Sequence, residues 1–236
     1  MELAVLRNCN SDERFKNWQL EGGTLLGRKD LGCGINSLAF LDVFTRKQGE
    51  ELIRNIKPTG TSFLDIMNFV TISNGYKRQF REITVEIDTP DKVSKFLDEL
   101  YNQLPDNSCT IVKLMRNPDI LKRSPHCARF TIGHTIIFSK KNGRLYTIDP
   151  QQGSNRERKD SDDKIIKSFL VSNCYVDVKL IVSLTQRTIK PVKDNANILV
   201  KNDSIIQYDD DGDVVMSPLQ SPNVNYRLIE AERLIQ

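Results

Sequence analysis

The pattern with the clearest chemical potential is a cysteine between two glycines, Gly32, Cys33 and Gly34, directly before an apolar segment. The apolar residues recur at helical spacing, at Ile35, Leu38, Leu41 and Phe44. This spacing places the thiol at the N-terminus of a buried helix, where unpaired N–H groups and the helix dipole favour a thiolate. We expect the glycines to allow a tight turn and to leave room for a substrate. On this motif alone a buried core cysteine is the commoner structure, so a nucleophile needs a partner elsewhere.

A predicted hairpin far downstream supplies that partner. Asn142-Gly143 separates two apolar runs and favours a two-residue turn, because both central positions of a type I′ turn need positive φ. Pairing of Lys141 with Arg144 then makes His134 and Asp149 diagonal neighbours on one face of the sheet. A histidine held by a carboxylate is a competent general base, so the hairpin predicts the second half of a nucleophilic site.

The same register places Gln151 across from His134, where it is either a site-lining residue or an ordinary strand-end side chain. Each of the other three residues also has a common structural role when it is taken singly. Cys33 suits a core, His134 a strand end, and Asp149 the start of a turn before Pro150. Their joint placement favours chemistry, and we predict a catalytic triad of Cys33, His134 and Asp149.

Composition limits the remaining functions. The protein has 236 residues with 39% apolar content, enough for a sizeable core. Its net charge is +3, from 34 basic and 31 acidic residues, which gives no electrostatic reason to expect nucleic acid or a membrane as partner. Five cysteines without a Cys-x-x-Cys pair and two histidines predict no disulfide framework, no structural metal and no cofactor. With no signal peptide or membrane span in the sequence, we expect a cytoplasmic protein, of the producing cell or of a host.

Periodicity predicts an α+β fold. Helical patterns cover 33–44, 47–56 and 61–73, so the first part of the sequence forms a helical half. Strand patterns then dominate, at 82–88, 109–114, 129–140, 144–149 and 175–184, with helices at 90–103 and 163–171. We predict one folded domain over 1–190. Residues 191–236 carry an acidic run and two Ser-Pro pairs, which predicts a flexible or partner-binding tail.

The order Cys33, His134, Asp149, with the cysteine opening the central helix of a helical half and the other two on a sheet, resembles the papain-like cysteine hydrolases. The Gly-His pair and the hairpin that ends in Ile-Asp-Pro-Gln are similar to the papain-fold toxin and protein-glutaminase group, and more loosely to papain-like deubiquitinases of the Josephin type. The resemblance covers roughly residues 15–185. It implies a catalytic domain in which a central nucleophile helix packs on an antiparallel sheet.

The resemblance also implies a role for each residue. Cys33 is the nucleophile, His134 the general base and then acid, and Asp149 the group that holds the imidazole tautomer. Papain-like enzymes usually carry a glutamine or asparagine about six residues before the cysteine for the oxyanion hole, but Gly27 stands there in this protein. Either Gln19, the nearest upstream amide, takes that role, or the Cys33 N–H does so with another group; Gln19 is equally well an ordinary surface residue beside Trp18.

We therefore expect a thiol hydrolase that attacks amide bonds of a protein substrate, as a protease or as an isopeptidase of the deubiquitinase kind. In the second case the partner is ubiquitin or a ubiquitin-like modifier. Deamidation of protein glutamine is the first alternative, because it uses the same acyl-thioester chemistry. A non-catalytic binding protein on the same scaffold is the second alternative.

Overall fold

The computed structural model describes residues 2–8, 10–25, 31–56, 58, 60–75, 78–123, 132–151 and 163–184. The predicted tail at 191–236 and the oxyanion position Gly27 lie outside these ranges. Within them, no helix is both long enough and apolar enough to cross a lipid bilayer.

The described residues combine helices with an antiparallel sheet, which confirms the predicted α+β class. The helices are α1 (Ser11–Leu20), α2 (Cys33–Phe40), α3 (Arg46–Arg54), α4 (Phe63–Ser73), α5 (Pro90–Gln103), α6 (Pro118–Arg123) and α7 (Asp163–Ser172). The strands are β1 (Glu2–Leu3), β2 (Arg7–Asn8), β3 (Phe80–Glu86), β4 (Ser108–Arg116), β5 (Gly133–Lys141), β6 (Arg144–Ile148) and β7 (Tyr175–Ser183).

The sheet has the order β1-β7-β4-β5-β6, with β3 on the other side of β7 and β2 beside β4. The N-terminal segment bridges β7 and β4: the Ala4 N–H donates to Ile181 O, and the Leu6 N–H donates to Cys109 O, both at 3.0 Å. The two short N-terminal strands, α1 and α6 are absent from the elements predicted from the sequence.

Helices cover both faces of the sheet. On one face Ile111, Ile137 and Ile181 pack into a core with the apolar residues of α1 to α4. On the other face Val112 and Ile136 pack with the apolar residues of α5 and α7. Since strand side chains alternate between faces, a strand buried on both faces is apolar throughout most of its length, as β4 is. The sheet is therefore a central layer between two sets of helices.

The predicted hairpin is confirmed. Asn142 and Gly143 both have positive φ, 51° and 67°, and Lys141 pairs with Arg144. The ladder between β5 and β6 ends at the pair Ile137 and Ile148. Beyond that pair, the β5 edge has no β6 residue beside it, and this open edge faces the site described below.

Helix α2 ends earlier than the apolar spacing predicts, at Phe40 instead of near Phe44. Asp42 adopts a left-handed conformation with φ 53°, the Asp42 N–H bonds to Ala39 O, and the Val43 N–H bonds to Leu38 O. This is the Schellman pattern that closes a helix, with aspartate in the place glycine usually takes. Leu41 and Phe44 are still buried, but outside the helix.

Arg14 of α1 completes this helix end. Its Nε donates to Phe40 O at 2.7 Å, and its Nη2 binds the Asp42 carboxylate at 2.8 Å. A cation at a helix C-terminus also opposes the negative end of the helix dipole. We expect Arg14→Met to lower the free energy of unfolding by about 1–3 kcal/mol, because it leaves the buried Phe40 carbonyl without its Arg14 donor. Urea unfolding monitored by circular dichroism measures the change.

Arg54→Met is the matched control, since the Arg54 side chain is 68% exposed and contacts only Glu50, at 4.0 Å, among the described ion pairs. It should shift the urea midpoint little. Equal midpoints for the two variants would contradict the role assigned to Arg14.

Candidate active site

Cys33 is the first residue of α2, and its thiol is half-buried. The N-cap residue Gly32 makes no side-chain cap, so the positive helix end faces the cysteine without a competing side-chain oxygen. Gly32 has φ −84°, which any residue adopts, so the expected tight turn does not explain it. Gly34 is explained by packing, because a Cβ there would lie 3.0 Å from the Thr61 Cβ.

His134 and Asp149 are in direct contact. The His134 Nε2 lies 2.6 Å from Asp149 Oδ2, and the two side chains are 19% and 4% exposed. The second carboxylate oxygen, Oδ1, accepts the N–H of Gln151 at 3.2 Å. Both carboxylate oxygens are thus occupied, which fixes the orientation of the carboxylate toward the ring.

The thiol of Cys33 hydrogen-bonds to His134 as well. Because Nε2 is taken by Asp149, the ring presents Nδ1 to the sulfur. Burial raises the pKa of the Cys33 thiol, but the hydrogen bond and charge of His134 together with Thr135 outweigh it, so the pKa lies below its ordinary value. Burial lowers the pKa of His134, yet its bonds to Asp149 and Cys33 raise that pKa to about 10. The arrangement favours a thiolate–imidazolium pair at neutral pH.

Thr135 gives the sulfur further support. Its backbone N–H is hydrogen-bonded to Cys33 and helps to lower the thiol pKa. Its carbonyl accepts the Ser37 hydroxyl at 3.5 Å, so the first turns of α2 lie along the open edge of β5. The Thr135 Oγ1 is buried and has no conventional hydrogen-bond partner among the described residues. Early termination of β6 therefore makes room for the nucleophile.

The turn after Asp149 is anchored to the N-terminal region. Trp18, which is 1% exposed, donates its Nε1–H to Pro150 O at 3.2 Å. The Thr24 hydroxyl donates to Gln151 O at 2.8 Å. These bonds hold the carboxylate turn against α1 and explain why the only tryptophan is buried in this region.

Asn36 holds the opposite side of the site. Its fully buried amide accepts the Leu25 N–H at 2.8 Å and donates to Gly32 O at 2.9 Å. It therefore ties the segment ending at Leu25 to the residue before the nucleophile. Asn36 was not among the residues predicted from the sequence. It directly follows Ile35, the first apolar residue of the helix pattern, and a polar residue in a segment predicted to be buried indicates a structural hydrogen bond.

The two glutamines predicted at the site have different outcomes. Gln151 does not face His134 across a ladder, because β6 has already ended at Ile148. Its described contacts are made by its backbone, as the turn after Asp149 curls away from the strand. Gln19 is half-buried, and its amide Nε2 is buried with no partner among the described residues. Its role in an oxyanion hole stays a prediction.

In the part of the protein that the structure describes, no group of three or more histidine, cysteine, aspartate or glutamate side chains is placed to hold a metal ion. Comparison of the sequence with models of known protein families and with curated protein sequences finds no match.

Proposed function

We propose that this protein is a cysteine hydrolase that cleaves amide bonds of a protein substrate, with Cys33, His134 and Asp149 as its triad. The observation that carries the proposal is the position of the His134 ring, which is hydrogen-bonded both to the Asp149 carboxylate and to the Cys33 thiol. A core histidine needs one polar partner. A ring held between a carboxylate and a half-buried thiol at a helix N-terminus has the arrangement that nucleophilic catalysis requires.

The chemistry follows from the pair. The Cys33 thiolate attacks the carbonyl carbon, and a tetrahedral oxyanion forms near the N-terminus of α2. The imidazolium of His134 donates its Nδ1 proton to the leaving amine, which departs as the acyl-thioester forms. His134, now neutral, takes a proton from water, and the resulting attack on the thioester releases the acid and restores the thiolate–imidazolium pair. Asp149 holds the ring and stabilises its charged form throughout.

Oxyanion stabilisation is assigned to the Cys33 N–H together with a second donor. Gln19 is our candidate, because its buried Nε2–H₂ has no partner among the described residues. We also propose that the fold is papain-like, because the nucleophile Cys33 begins a helix and the base His134 lies on a strand of the sheet. A free thiolate needs reducing surroundings, so we place the activity in the cytoplasm of the producing cell or of a host.

The triad is compatible with two kinds of reaction on a protein substrate. Isopeptide or peptide cleavage, including removal of ubiquitin or a ubiquitin-like modifier, is our first proposal. Glutamine deamidation differs only in its leaving group, which is ammonia. Both reactions pass through an acyl-thioester at Cys33, so product analysis separates them.

Intact-mass spectrometry tests the proposal in one experiment. The full-length protein is treated near neutral pH with limiting iodoacetamide and, separately, with ubiquitin that carries a C-terminal thiol-reactive electrophile. We expect Cys33 to react well before Cys9, Cys109, Cys127 and Cys174, because its thiol pKa is depressed. A ubiquitin adduct at Cys33 supports the isopeptidase, whereas iodoacetamide labelling alone supports a hydrolase of another substrate.

Peptide mapping of the labelled protein assigns the site, and Cys33→Ser provides the control that loses it. Equal labelling of all five cysteines in the folded protein would show that Cys33 is an ordinary core thiol. In that case the binding-protein alternative would replace the hydrolase.

A further inference from the structure

Lys113 lies in the middle of β4 on the face of the sheet that meets α2. It pairs across the sheet with Thr135 on β5 and with Lys179 on β7, and paired residues point to the same face. Because Thr135 contacts the Cys33 thiol, Lys113 is one strand away from the nucleophile. The proposed mechanism gives this lysine no task.

The lysine side chain runs toward the first turn of α2. A Cβ added to Gly133 would lie 2.8 Å from the Lys113 Cε. The aliphatic part of the lysine side chain therefore crosses the sheet directly over that glycine. Its Nζ donates to Thr61 O at 3.1 Å, and Thr61 packs against Gly34, the residue after the nucleophile. Lys113 is therefore linked to the region of Cys33 on two sides, because it pairs with Thr135 across the sheet and its Nζ binds Thr61, which packs against Gly34.

Among the described residues, Lys113 has no carboxylate counterion with which it forms an ion pair. Other partly buried cations of this region have one: Lys179 pairs with Glu82, and Arg14 pairs with Asp42. The Nζ group has three N–H donors, and the bond to Thr61 O uses one of them. Burial lowers the pKa of Lys113, and the charge of Cys33 is the largest opposing influence, in keeping with their proximity.

A partly desolvated ammonium with unused donors is stabilised when an anion binds to it. In the free protein the like-charged neighbour Lys179 adds repulsion, which the charges of Glu82 and Asp65 oppose without forming an ion pair with Lys113. An anion that enters the site with the substrate would remove this cost. Gly133 is then explained too, because any side chain there would displace the lysine stem.

We propose that Lys113 forms a carboxylate-binding subsite beside Cys33, so that the preferred substrate carries a carboxylate close to the amide that is attacked. The inference rests on the proposed function, since it assigns the substrate class of the same site. The carboxylate can belong to an acidic side chain next to the reacting amide or to the C-terminus of a polypeptide.

Two alkylating reagents that differ only in charge test the subsite without knowledge of the natural substrate. Iodoacetate carries a carboxylate and iodoacetamide a neutral amide, and both react at Cys33. Relative to free cysteine, we expect the wild-type protein to favour iodoacetate. Lys113→Met should reduce the iodoacetate to iodoacetamide rate ratio about fivefold or more, as expected for loss of one nearby charge. Lys113→Arg should retain most of the ratio.

Lys140→Met is the matched control. Lys140 also lies on this sheet, but at the other end of β5, where its Nζ binds Tyr101 O. Its loss changes the net charge equally and should leave the rate ratio unchanged. Lys113→Met and Lys140→Met with the same ratio as wild type would overturn the proposal, while rapid iodoacetamide labelling of Cys33 would leave the hydrolase intact. A slow Cys33 in the wild-type protein would instead count against the hydrolase itself.

Protection from iodoacetamide separates the two sources of carboxylate. N-acetyl-aspartate α-amide presents a side-chain carboxylate, N-acetylglycine a terminal one, and N-acetyl-asparagine α-amide presents none. Protection by the first or second, lost in Lys113→Met, supports the subsite and identifies its ligand. Equal protection by the neutral compound would overturn it.

Discussion

Replacement of Cys33 by alanine is expected to reduce turnover by roughly 10⁵-fold or more, which is the scale seen when a triad nucleophile is removed. The expected loss is this large because the acyl-thioester cannot form without the sulfur. His134→Ala should cost a similar factor, since the thiolate loses the imidazolium that stabilises it and the leaving amine loses its proton donor. Single-turnover assays on a substrate identified by product analysis measure both.

The double variant Cys33→Ala with His134→Ala should be no slower than either single variant, because the two groups act as one unit. Melting temperatures of the variants check that the fold is kept, since neither side chain is part of the two apolar clusters. Near-wild-type turnover by His134→Ala would show that another residue is the general base, and His126 would be the next candidate.

The parts of the site that the sequence predicted well are those set by local rules. The Asn142-Gly143 turn fixes the hairpin register because positive φ at both positions is a requirement of the turn itself. That register brings His134 to Asp149. The N-terminus of α2 is similarly local, since it depends on the apolar spacing that begins behind Cys33.

Elements that depend on distant partners were not predictable in the same way. The strands β1 and β2 have two residues each, and they exist because β7 and β4 separate far enough to admit the N-terminal segment. The residues of Glu2–Leu3 and Arg7–Asn8 contain no local pattern that indicates pairing with β7 and β4. The early end of α2 is also a tertiary effect, because Arg14 from another helix stabilises the left-handed Asp42.

The residues around the sulfur show the same division. Thr135 contacts Cys33 and Lys113 lies opposite Thr135 because β4 and β5 pair in one particular register, which strand patterns alone do not specify. A lysine between Val112 and Leu114, in the apolar part of its strand, was the sequence signal for this part of the site. Such a residue conflicts with its local pattern, and conflicts of this kind are expected at functional positions.

Asp149→Asn is expected to retain measurable activity. As the pH is raised into the alkaline range, however, this variant should lose its activity at a lower pH than the wild-type protein. The asparagine carbonyl can still accept the His134 Nε2–H, so the ring tautomer is kept. The loss should thus be smaller than the roughly 10⁴-fold drop that follows when a substituted triad carboxylate leaves the histidine in the wrong tautomer. The asparagine NH₂ would face the Gln151 N–H, which loses the acceptor that Asp149 Oδ1 provides. Asp149→Ala lacks both interactions and should fall further.

The pH shift has a definite sign. Turnover requires Cys33 as thiolate and His134 as imidazolium, so the alkaline limit of activity follows the His134 pKa. In the wild-type protein burial lowers that pKa, but the bonds to Asp149 and Cys33 raise it to about 10, so activity should persist well above neutral pH. Removal of the carboxylate charge lowers the pKa, and the alkaline limb of the kcat/KM profile should move to lower pH in Asp149→Asn. Asp98→Asn, an exposed carboxamide substitution on α5, should leave the profile in place. Coincident alkaline limbs for wild type and Asp149→Asn would mean that Asp149 only orients the ring and does not stabilise its charge.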